Sequence, residues 1–110
     1  MYWILFDEKK IRTEIMNNGP VGTAFSLYDD FKHFCSGIYR RSDKSKYLNY
    51  MHKVKLIGWG VEKKTGSPYW LGINSYNKNW GMKGLFKFPR GEDHLEIESF
   101  VMGVEAVIPK

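Results

Sequence analysis

The stretch PYWLGINSYNKNWGMKGLFKF, Pro68 to Phe88, decides how this 110-residue chain reads. PYWLGINS and GLFKF are short runs rich in apolar residues, and NKNWGMKG between them is rich in Gly and Asn. Runs of that length bounded by turn residues are strands joined by a turn. Working back, KVKLIGWG (Lys53 to Gly60) is another strand, with Val54 and Leu56 apolar at alternate positions, and EKKTGSP turns the chain before Pro68. Earlier still, VGTAFSLY alternates Val21, Thr23, Phe25 and Leu27 against Gly22, Ala24, Ser26 and Tyr28, a strand with both faces partly apolar. DDFKHF reads as one helical turn, and VEAVIP, Val104 to Pro109, as a last strand.

Ahead of the strands lies EKKIRTEIMNN, Glu8 to Asn18, with Ile11 and Ile15 on one helical face. Asp7 is placed to cap it, Ile11 to staple back onto Phe6, and Gly19-Pro20 to stop it. The expected fold class is therefore α+β: a single domain over residues 1–110, an antiparallel β-barrel-like lobe with one short N-terminal helix.

Composition narrows the function. The net charge is +5, and RRSDKSK, Arg40 to Lys46, is the densest basic patch, but the other lysines interleave with Asp and Glu. No base-reading or phosphate-cradling motif accompanies them, so the loop reads as solvated surface and no nucleic-acid partner is expected. No apolar run is long enough to cross a bilayer, and MYWILF is cut off by Asp7-Glu8-Lys9-Lys10 before it could form the core of a signal peptide, so no membrane partner is expected and localisation stays unknown. The single cysteine, Cys35, leaves the redox compartment unread.

His52, directly before a strand, would ordinarily be a surface or satisfied core residue. Its company suggests chemistry. Asn74 ends a strand just before a turn with two aromatics, Tyr76 and Trp80. An asparagine that accepts from one imidazole nitrogen fixes the tautomer and leaves the other nitrogen facing a nucleophile, and an aromatic lid keeps water from that bond.

EIMNNGPVGTAFSLYDDF, HKVKLIGWGVE, PYWLGINSYNKNWGMKGLFKF and RGEDHLEIESFVMGVEAVIP together resemble the papain-like cysteine peptidases, closest to the cathepsin B branch. The resemblance implies the right-hand, β-barrel half of a two-lobed fold with substrate between the lobes. It makes His52 the general base and acid, Asn74 its orienting partner, Trp80 a lining of the leaving-group side of the cleft and Tyr76 the shielding aromatic, where tryptophan is usual. It implies no cofactor and no metal. Lys53 takes the position that faces the pocket for the substrate's second residue, usually Ala or Gly, and Phe100 takes the position of an acidic residue at that pocket's far end. An apolar wall and a cation there would disfavour arginine, and a cation beside the histidine works against a thiolate–imidazolium pair.

The nucleophile of such a family lies roughly 130 residues or more upstream of the histidine. Only 51 residues precede His52 here, and Cys35 in FKHFCSGIY lacks the signature of glycine and small residues leading into a helix. It reads as an ordinary small apolar or edge-strand residue, with His33 on the same face of the strand, and the chain is expected to contain no nucleophile. Two classes remain open: the C-terminal lobe of a peptidase, inactive alone, whose partners are a helical lobe and a peptide substrate, or a degenerate binding module. In either case an exposed lobe interface would favour self-association.

Overall fold

A computed structural model describes residues 2–3, 7–74 and 79–103. The expected helix forms as α1 (Glu8–Asn18). Asp7 sits in extended backbone and its carboxylate accepts from the amides of Lys9 and Lys10 at 3.0 and 3.3 Å, satisfying two donors that the first helical turn leaves orphaned. Gly19 ends the helix at φ 95°, a region that favours glycine, and its N–H donates to the Ile15 carbonyl. Ile11 and Ile15 are buried as the periodicity requires. The staple through Phe6 lies outside the described residues.

Among the described residues six strands form one antiparallel sheet: β1 (Tyr2–Trp3), β2 (Val21–Tyr28), β3 (Tyr47–Val61), β4 (Pro68–Ile73), β5 (Leu85–Pro89) and β6 (Met102–Gly103), in the order β1-β6-β2-β3-β4-β5. Among the described residues β5 does not pair with β1, so the sheet is open and barrel-like rather than closed. The outer edge of β5 meets Ile38 in a parallel bridge, and the Tyr39 amide donates to the Lys87 carbonyl at 2.8 Å. That covering blunts an edge otherwise free to pair. VEAVIP lies outside the described residues; β6 stops just before it.

The β2 alternation holds. Val21, Thr23, Phe25 and Leu27 are buried and their neighbours half-buried. Paired across the ladder, Val21↔Leu56, Thr23↔Val54 and Phe25↔His52 share the core face, while Ala24↔Lys53 and Ser26↔Met51 share the other. β3 begins at Tyr47, earlier than the apolar alternation indicated, because Tyr47 to Tyr50 are exposed and Asn49 breaks the period at φ 65°.

Two long-range fasteners shape the sheet. The Arg90 guanidinium bonds the Glu8 carboxylate on α1 at 2.9 Å and donates to the carbonyls of Gly60 and Tyr69, so one side chain ties the helix to β3 and β4. Glu98, with 0 % of its surface exposed, accepts at one carboxylate oxygen from the Trp70 indole at 2.8 Å and the Gly91 amide at 2.6 Å. Burial pushes its carboxyl above the usual range, against those two bonds.

Candidate active site

His52 and Asn74 come together by register. The β3–β4 ladder pairs Lys55 with Ile73, so continuing it by one residue sets Asn74 opposite Val54, on the face that His52 shares two residues along β3. The Nε2 of His52 lies 2.8 Å from the Oδ1 of Asn74. An amide oxygen accepts, so Nε2 carries the proton and the ring's lone pair sits on Nδ1. Asn74 is buried, and its backbone N–H donates to the Gly84 carbonyl at 2.9 Å, which fixes the strand end that bears it.

The imidazole also rests on rings. Phe25 meets it edge-on at 5.7 Å, and Phe31 lies 5.9 Å away. Phe31 is fully buried and packs 4.9 Å from Trp80, whose indole donates to the Lys32 carbonyl at 3.0 Å. Trp80 therefore reaches the histidine through Phe31 and pins the 3-10 turn Phe31–His33 that carries it. Phe31 was invisible to pattern reading: DDFKHF is one turn, too short for a periodicity to mark which residue points inward.

Lys53 is exposed and sits across from Ala24, on the sheet face away from His52, because adjacent strand residues point to opposite faces. On that same face Ser26 donates to the Glu96 carboxylate at 3.0 Å and touches the Met51 sulfur at 3.6 Å, which puts an acidic group that the sequence reading missed beside Lys53's strand. Phe100 is exposed, following the 3-10 turn His94–Glu96. Tyr76 lies outside the described residues. Cys35 is exposed, and its thiol donates to the His33 carbonyl at 3.5 Å. His33 closes the Phe31–His33 turn, so the expectation that it shares a strand face with Cys35 is corrected: the turn's 3-10 geometry replaces the strand there. Among the described residues no group of three or more His, Cys, Asp or Glu could hold a metal ion.

Comparison with known proteins identifies the family and the fold. Residues 3–104 match the model of the family described as papain family cysteine protease. The chain is 48% identical over 101 residues to a cathepsin B-like cysteine proteinase of Schistosoma japonicum, covering 92% of this chain and 28% of that protein. It is 49% identical over 98 residues to a gut-specific cysteine proteinase of Caenorhabditis elegans, covering 89% and 29%. Among solved structures it is similar to a procathepsin B from Trypanosoma congolense, with TM-score 0.85 and 34% identity over 94% of this chain and 34% of that one. A digestive procathepsin L2 from Tenebrio molitor larval midgut aligns with TM-score 0.76 and 31% identity over 88% and 30%. The chain thus spans about a third or less of the length of these four proteins.

Proposed function

This chain belongs to the papain family of cysteine proteases, and from that membership we propose that it is the histidine- and asparagine-bearing lobe of a cathepsin B-like peptidase, completed by a helical lobe that supplies the thiol. The observation that carries the reading is the 2.8 Å approach of His52 Nε2 to Asn74 Oδ1. With Nε2 so held, Nδ1 takes the proton of an incoming cysteine thiol. The thiolate attacks the substrate carbonyl carbon, the amine leaves with the proton from Nδ1, and water, deprotonated by the same nitrogen, cleaves the acyl thioester. Trp80 and Phe31 hold the imidazole plane while the proton moves each way.

As a separate polypeptide the chain is inert. Its one cysteine is exposed, and the thiol donates to the His33 carbonyl. Lys53 and Phe100 contribute to the pocket for the substrate's second residue, and the surface that meets the helical lobe is prone to self-association while uncovered. The test is to offer the purified chain dipeptidyl fluorogenic substrates and an epoxide inactivator between about pH 5 and 7. No turnover and no label are expected. Thiol-dependent turnover lost in Cys35→Ser would overturn the reading.

A further inference from the structure

His94 is a histidine that the proposed chemistry does not use. Its ring lies 5.6 Å from Phe88 and 6.4 Å from Tyr39, half-buried between β5 and the segment leading into the basic loop. Its Nε2 accepts from the Arg41 amide at 3.4 Å. From the loop side, the Arg40 and Arg41 guanidinium groups face it and the Tyr39 ring packs against it; Glu92 and Asp93 precede it on its own segment; Asp30 faces it from the turn after β2. Phe88 on β5 brings no charge.

Each of these charged groups is already engaged. Arg40 is paired through both terminal nitrogens with Glu92, at 3.1 and 2.6 Å. Asp30 accepts from the Tyr39 hydroxyl at 2.6 Å and from the Ser42 amide at 2.8 Å. Asp93 accepts from the Glu98 amide and the Ser99 hydroxyl. Arg41 lies over the Tyr28 ring at 4.1 Å. A proton on His94 would therefore find no idle carboxylate, would meet two cations, and would turn Nε2 from an acceptor for Arg41 into a second donor.

We propose that His94 is an acid-released clasp, whose neutral ring ties the basic loop at Arg41 to the His94–Glu96 turn and whose protonation parts them. Burial and the neighbouring arginines hold its imidazole below the ordinary histidine range, so the clasp stays closed at neutral pH and opens only on further acidification. The turn it holds is poised to move: Asp93, Leu95 and Glu96 all have positive φ, between 51 and 70°, a conformation that side chains other than glycine keep only under constraint from outside. Glu96, at the end of that turn, is the residue bonded to Ser26, opposite Met51 and next to His52. Opening the clasp thus loosens a contact one residue from the catalytic histidine.

The test is amide exchange on the 110-residue chain, with the His94 ring titration read by NMR in the same samples between about pH 7.5 and 4.5. Arg41 protection is expected to fall about five- to tenfold, the worth of one neutral hydrogen bond, with the His94 midpoint. Tyr39, whose amide donates to the Lys87 carbonyl, is the internal reference and should hold its protection. His94→Phe keeps an aromatic ring in the slot without an acceptor and should leave Arg41 unprotected at both ends of the range; His94→Gln keeps an acceptor that does not titrate and should preserve protection in acid. Arg41 protection that is independent of pH in the wild-type chain, or unchanged in His94→Phe, would overturn the proposal. Because exchange is read without substrate, failure here is distinct from failure of the peptidase reading.

Discussion

Phe31 is the ring on which His52 and Trp80 both rest, 5.9 Å from the imidazole and 4.9 Å from the indole, with none of its own surface exposed. It also meets Phe25 and Tyr39 edge-on at 5.0 Å and Phe86 at 5.4 Å. A histidine on a strand has one backbone tether; beside the Asn74 contact, this cluster supplies a further constraint on the ring of His52. Phe31→Ala should cost about 3–5 kcal/mol in denaturant unfolding, the usual penalty for an uncollapsed aromatic cavity. Phe31→Leu should cost distinctly less while still loosening His52, seen as broadened imidazole resonances.

Gly72 and Phe86 face each other across the β4–β5 ladder, and a Cβ on Gly72 would lie 2.3 Å from the Phe86 ring. The ring occupies the space that a side chain would need, a close approach that strands reserve for glycine. Gly72→Ala is expected to destabilise the fold by about 1–3 kcal/mol through overpacking. Phe86→Leu, itself destabilising, should recover part of that loss when combined with it, giving a non-additive double-mutant cycle. Strict additivity would mean that the two positions do not share this space.

Glu98 sets a pH dependence of stability with a definite sign. Its folded carboxyl is raised by burial, so between its unfolded value and its higher folded value the native state binds more proton than the unfolded one. Stability from this group therefore falls as pH rises through that window. Glu98→Gln keeps an oxygen for the Trp70 indole and the Gly91 amide without a charge. It should flatten that part of the urea-unfolding profile and be relatively more stable at neutral pH than in acid.

The outward face of β2 and β3 brings Lys53, Ser26, Met51 and the Glu96 carboxylate to one side of the sheet. In an enzyme completed by a helical lobe, Lys53→Ala should raise kcat/KM for substrates with arginine at the second position by about five- to tenfold relative to leucine, the effect of removing one like charge near a partly desolvated site. An unchanged ratio would place Lys53 outside the pocket.

Local pattern carried much of this architecture. The alternation of β2, the helix between Asp7 and Gly19, and the turn residues around β4 and β5 are short-range signals that tertiary packing reinforced rather than opposed. The approach of His52 to Asn74 is a matter of register, since His52 lies within β3 and Asn74 directly follows β4. What escaped lies in contacts between distant segments. Phe31 is one aromatic in a single turn. Glu98 looks like a surface residue until Trp70, 28 positions earlier, supplies its donor. His94 and Arg41, separated by 53 positions, meet only because β5 and the basic loop pack together. The open sheet order, with β6 between β1 and β2, is likewise a property of strand pairing that alternation cannot reveal.

In the proposed function His52, oriented by Asn74, serves a thiol supplied by another lobe. Joining this chain to a cathepsin B-type helical lobe that carries its cysteine, and measuring kcat/KM with His52 and Asn74 intact or replaced, tests it directly. Thiol-dependent hydrolysis is expected in the joined protein, abolished in His52→Ala and reduced about ten- to a hundredfold in Asn74→Ala, with folding retained by circular dichroism. A joined protein that is folded and active yet indifferent to both substitutions would contradict the account.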